Sequence, residues 1–181
     1  MIQPGQVDGV AVERGSGAQA FRAQLVVPEQ RQLYDYWQEL AGNNAIPARA
    51  DINPVRLPRL LPGISLIEVH ADISQCRIRL AGTRLRDIYD REVTGMLVKD
   101  LPHGNRAEYW QAAYRRTIEL ALPTQGVVRG PLVNKEHVVQ YWLKLPLRLG
   151  SEGVGMVLCY DHFLPASEVL LEHELKFPVA S

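Results

Sequence analysis

The chain has 181 residues, 46% apolar and 22% charged, a globular composition that excludes a wholly disordered protein and leaves room for one sizeable core. Lysine plus arginine and aspartate plus glutamate each total 20, so the basic excess of a duplex-binding protein is missing and no nucleic-acid partner is expected. Residues 1–20 lack the basic and then apolar regions of a secretion signal, and no stretch approaches the roughly 18 apolar residues that span a bilayer. No membrane partner and a cytoplasmic location are therefore expected. Cys76 and Cys159 lie in apolar, strand-like runs and read as reduced, buried thiols.

Residues 1–24 are rich in Gly, Gln, Ala and Ser and read as a flexible arm, with Leu25, Val26 and Val27 as a short apolar run at its end. A helix is predicted over 28–42. Pro28 suits its first position, Leu33, Tyr36, Trp37 and Leu40 repeat at helical spacing, and Gly42 ends it. Four prolines between 46 and 62 predict an extended crossing pinned by Leu57, Leu60 and Leu61. Strands are predicted at 64–70 and 76–80, joined as a hairpin through 71–75. A short helix capped by Thr83 follows, with Leu85, Ile88 and Tyr89. A second long helix is predicted over 106–121, with Asn105 as N-cap, Glu108 completing a capping box and Pro123 forbidding continuation. Three more strands are predicted at 125–133, 137–147 and 153–162. The tail 165–181 carries Ser167 as cap of a short helix. Strands grouped around a helical insert mean an α+β fold in one domain spanning 25–164.

That element order resembles the PAS fold, a five-stranded antiparallel sheet with helices on one face. Local phrases sharpen the likeness. Leu33-Tyr34-Asp35-Tyr36-Trp37, then Pro47 to Pro54, then Leu60-Leu61-Pro62 resemble the entry of a subfamily of small stand-alone bacterial PAS proteins. Ile78-Arg79-Leu80-Ala81-Gly82-Thr83-Arg84, followed by Tyr89 to Gly95, is similar to a recurrent phrase of that subfamily, and the likeness covers about 30–162. The resemblance implies signal input or protein docking, a signalling protein partner, a homodimer, and a small molecule in the space between sheet and helices. It names no cofactor. The chain has no room for a fused kinase, cyclase or DNA-binding segment, so output is expected to run through a partner.

Motifs for chemistry are thin. Cys159 and His162 form a lone C-x-x-H pair, too few ligands for a zinc site, so no metal is expected. No nucleophile elbow, P-loop or dinucleotide-binding glycine pattern occurs, and no catalytic residue is assigned. Asp87, Asp90 and Glu92 beside Arg84, Arg86 and Arg91 read as a solvated, mutually paired surface. An alternative class is a small α+β enzyme using a cavity acid/base pair drawn from Asp161, His162 and Glu108.

The expected ligand-binding residues are Trp110 and Tyr114 on the long helix, Tyr141 and Met156 on strands facing it, and Arg84 and Tyr89 at the mouth, where they would orient an anionic group. Leu143 and Leu158 are expected to line the same space. The expected dimer or partner contact is Leu33, Tyr36, Trp37 and Leu40, with Val138, Gln140 and Trp142 as the opposing sheet surface. Cover within one chain and dimerisation satisfy this burial requirement equally.

Overall fold

The computed structural model describes residues 10–150 and 153–169, with side chains from residue 16. Helix α1 (Val10–Gln24) and helix α2 (Pro28–Ala41) precede strands β1 (Ile64–Glu68) and β2 (Arg77–Ala81). Helix α3 (Thr83–Tyr89) and helix α4 (Ala107–Leu120) follow, and β3 (Thr124–Arg129), β4 (Val138–Arg148) and β5 (Val154–Pro165) complete one sheet. Its order is β2-β1-β5-β4-β3 and every neighbour is antiparallel. Because β2 and β3 are opposite edges, the connection between them has to cross the sheet, and it does so as α3 and α4 over one face.

Two apolar layers sandwich the sheet. On the outer face Leu33, Tyr36 and Trp37 of α2 pack on Ile64, Leu66, Leu143, Leu145, Leu147, Met156, Leu158 and Tyr160. On the inner face Leu85, Val93, Val98 and Tyr114 pack on Ile67, Ile78, Val157 and Cys159, beside a cluster of Trp110, Ala113, Val128 and Trp142. The α2 stripe is thus covered within its own chain. Trp37 is 2% exposed and its indole N–H donates to the Pro146 carbonyl at 2.9 Å. Pro146 has no N–H of its own to give the ladder, yet its carbonyl still finds a donor.

Several local expectations differ from the structure. Residues 10–24, read as an arm, form α1, whose Phe21 ring lies 5.0 Å from that of Tyr34 on α2. Gly15 and Gly17 weaken a helix but do not prevent one where packing compensates. Leu25 is fully buried in the outer core. Asn105 is not the cap of α4, nor does Glu108 close a capping box. A 3-10 turn over Gly104–Arg106 leads into the helix and Arg106 occupies the N-cap without a side-chain bond. Thr83 is the first residue of α3 and Gly82 is its N-cap. The third strand stops at Arg129, where Gly130 turns left-handed (φ 62°) and Pro131 lacks a donor. In the proline-rich crossing Leu57 and Leu60 are buried, whereas Leu61 is exposed. Residues 166–169 turn helical after β5; the rest of the expected tail helix lies outside the described residues.

Gly82 fixes the corner between β2 and α3. A Cβ there would run into the carbonyl oxygens of Leu61 and Pro62, so the crossing and the corner pack backbone to backbone. Its N–H donates to Ile64 O at 2.7 Å. At the β2 edge, residues 95–98 exchange hydrogen bonds with Cys76 and Ile78, which covers that edge.

Candidate functional site

The pleat of β4 and β5 decides what faces the helices. Gln140, Trp142 and Lys144 point inward from β4, Val157, Cys159 and Asp161 from β5, and Ser65 and Ile67 from β1. Ser65, Ile67, Gln140, Lys144 and Asp161 of this face, together with Ile78, Leu85, Tyr89, Leu101, His103, Trp110 and Tyr114, surround a cavity of about 30 Å³.

The cavity wall is unusually polar for a protein interior. Lys144 is 2% exposed, and its ammonium lies 4.2 Å from the ring centre of Tyr114, 4.8 Å from Trp142 and 4.9 Å from Trp110. Three π faces around one cation offset part of its lost hydration, since a desolvated cation–π contact is worth about 2 kcal/mol. Asp161 accepts from Gln140 Nε2 at 2.6 Å, both side chains being buried. Burial pushes the Asp161 carboxyl above its ordinary value, while the charge of Lys144 and the Gln140 bond pull it back. His103 contacts the Tyr89 hydroxyl through Nε2 at 3.3 Å. Burial first, and then the Lys144 charge, lower its pKa to about 4, so this imidazole is neutral at physiological pH. The Tyr114 hydroxyl meets Cys159 Sγ at 3.9 Å, and burial raises both groups above their usual range. Neither is an activated nucleophile.

Rings link these groups. Trp110 and Trp142 meet edge to face at 5.8 Å, and His103 lies 5.6 Å from Trp110. The Trp142 indole N–H donates to the Tyr109 hydroxyl at 2.9 Å. By contrast, Trp110 Nε1 is buried without a hydrogen-bond partner.

The expected ligand residues divide. Tyr89, Trp110 and Tyr114 line the cavity. Tyr141 and Met156 do not: with Leu143 and Leu158 they lie on the outer face against α2. Trp142, expected on the partner surface with Val138 and Gln140, is buried inward beside Trp110. These are one error made several times, because a period-2 pattern apolar on both faces does not say which face is which. Arg84 turns away from the cavity and donates to the Tyr160 hydroxyl at 3.0 Å. Leu33, Tyr36 and Trp37 are buried in the outer core with Leu40 packed at its margin.

The enzyme alternative loses its constellation. Asp161 is in the cavity, His162 meets Tyr141 edge to face on the other side of the sheet with ring centres 6.5 Å apart, and Glu108 is exposed. Lys144, His103 and Ser65 were not among the expected site residues, and Gln140 was expected on the partner surface and not in the cavity. The one available signal was Lys144 itself, a lysine inside the apolar run 138–147. Among the described residues no group of three or more His, Cys, Asp or Glu is arranged to hold a metal, and no helix is long and apolar enough to cross a membrane.

Among solved structures, similar ones include the Vibrio cholerae VqmA dimer (16% identity, TM-score 0.48, 62% of this chain and 51% of that chain). A Rhodobacter sphaeroides LOV protein (14%, TM-score 0.45, 62% and 69%) and a sensory box sensor histidine kinase from Vibrio cholerae (14%, TM-score 0.43, 61% and 87%) are others. The chain thus spans about half the length of VqmA. No curated protein sequence matches it significantly. The sequence profile described as PAS domain matches residues 25–158, which is most of the chain and the whole of the sheet up to the middle of its last strand, and this chain belongs to the PAS domain family.

Proposed function

We propose that the protein is a cytoplasmic sensory or regulatory PAS module that works through contact with a signalling protein partner, with the inner cavity as its input and no turnover of its own. The supporting observation is the division of β4. Its odd residues Leu143, Leu145 and Leu147 carry α2, and of its even residues Gln140 and Lys144 line the cavity while Trp142 packs on Lys144 and Trp110. A change in cavity contents that displaces Lys144 or Trp142 is therefore transmitted to the strand that holds Trp37. The output is a shift in the packing of α1 and α2, which a partner or a second copy of the chain reads.

The test compares capture of interacting proteins by wild type, Trp37→Ala and Asp161→Asn from cells of the source organism. Loss with Trp37→Ala and retention with Asp161→Asn is the expected pattern. Turnover of any candidate substrate that disappears in Asp161→Asn would favour the enzyme reading instead. Size-exclusion chromatography with light scattering reports the homodimer directly.

A further inference from the structure

We infer that the inner cavity is a receptor site for a small carboxylate of formate or acetate size, bound between the Lys144 ammonium and the Trp110 indole N–H. The inference deepens the proposed function by naming the input, and it rests on that reading.

Three observations converge on the site. Lys144 places a positive charge 2% exposed in the wall, with aromatic faces at 4.2 to 4.9 Å. Ring faces balance charge but provide no lone pair for N–H donors. Trp110, 4% exposed, brings a second donor, Nε1, which has no partner. A buried donor left unmade costs about 1–3 kcal/mol, so an acceptor at this position recovers free energy that the empty arrangement lacks. The third observation is space. The cavity of about 30 Å³ borders both residues. On a measure where one water needs roughly 10–15 Å³, it holds a carboxylate head and little more.

The remaining polar groups fit this assignment. His103 is held neutral and Tyr89 engages it, so neither adds a competing charge. Asp161 is the apparent objection. Gln140 Nε2 donates to its Oδ1, and burial raises the carboxyl above its ordinary value while Lys144 and the Gln140 bond pull it back, so its charge is already engaged by the groups around it. Leu85, Ile67 and Ile78 close the apolar side and limit the ligand's tail to a methyl.

The test uses the full chain labelled with 15N and follows its three indole N–H signals during titration with sodium acetate at neutral pH and constant ionic strength. Trp37 is bonded to Pro146 and Trp142 to Tyr109, so only the Trp110 signal is expected to move, and to saturate. For a ligand of four heavy atoms a Kd of about 1 mM is the realistic scale. Formate should act likewise, acetamide should not, and Lys144→Met should weaken binding at least about tenfold, the factor equal to 1.4 kcal/mol. Dispersed indole signals in the variant confirm that it folds. Should it fail to fold, saturation transfer from wild-type protein to the acetate methyl provides the second measurement. No saturable Trp110 shift, an equal response to acetamide, or unchanged binding in folded Lys144→Met overturns the site. Carboxylate binding without any change in partner capture sinks the sensory reading and leaves the site standing. Capture that depends on Trp37, with no carboxylate binding, does the reverse.

Discussion

A lysine enclosed by three aromatic rings sets the character of the inner face. Lys144 and Asp161 are both buried, and the cation pulls the Asp161 carboxyl back against the rise that burial imposes. Asp161→Ala should destabilise the protein by roughly 2 kcal/mol in urea unfolding, because Gln140 Nε2 is then buried without an acceptor, whereas Asp161→Asn should cost less. His103 gives the chain a measurable acid sensitivity. Its imidazole takes up a proton near 6.5 when unfolded but only near 4 when folded. Between those values the unfolded state binds more protons, so the contribution is intact above about pH 6.5 and is lost as pH falls to about 4, by roughly 3 kcal/mol in all. Asp161, raised by burial, works with the opposite sign, losing stability as pH rises out of the ordinary carboxylate range. In His103→Gln the decline of unfolding free energy between pH 6.5 and 4 should shrink; an unchanged slope would remove His103 as its source. At Gly82 the constraint is steric. Gly82→Ala forces a methyl into the Leu61 and Pro62 carbonyls and should lower stability by about 1–3 kcal/mol, seen as a lower urea midpoint with unchanged slope.

At the scale of elements, β4 is the strand on which both cores meet. It pairs with β5 along its whole length and with β3 over Val139–Lys144, and helices cover both faces, so nine of its eleven residues are buried and neither face is marked by exposure. This is why the sequence pattern gave the strand correctly and its orientation wrongly. Val139, Tyr141, Leu143 and Leu145 form one apolar register, Val138 and Trp142 make the other bulky as well, and only Gln140 and Lys144 set the two apart. Helix α2 was easier to read because its stripe of Leu33, Tyr36, Trp37 and Leu40 is apolar and its other face is not. What the stripe packs on is a question of topology. Trp37→Ala removes a buried ring and its bond to Pro146, and should cost about 3–5 kcal/mol, against less for Trp37→Phe, in thermal or urea unfolding. The surface pairs Arg22–Asp35 and Arg56–Glu39 are half exposed, and their removal should be close to neutral.

Across the whole molecule, the sheet is a thin partition with a polar cavity on one side and the N-terminal helices on the other. A disturbance of the cavity wall should therefore be felt by α2, which does not touch it. Hydrogen exchange should show faster α2 and β4 amides in Lys144→Ala than in wild type, with the β2 hairpin little changed; exchange raised in the hairpin as much as in α2 would mean general loosening instead. The sequence by itself determined the two amphipathic helices, five strands, their order and the antiparallel α+β class, because these follow from hydrophobic period, proline and glycine placement, all of which act over a few residues. It also marked Tyr89, Trp110 and Tyr114, which share the cavity. Only the tertiary structure decided which pleat face turns inward, that Gln140, Lys144 and Asp161 converge there with His103, and that the α2 stripe is covered by its own sheet. Those outcomes depend on how strands distant in the chain pair and which helix reaches which face first. No local pattern encodes this when both faces of a central strand are buried.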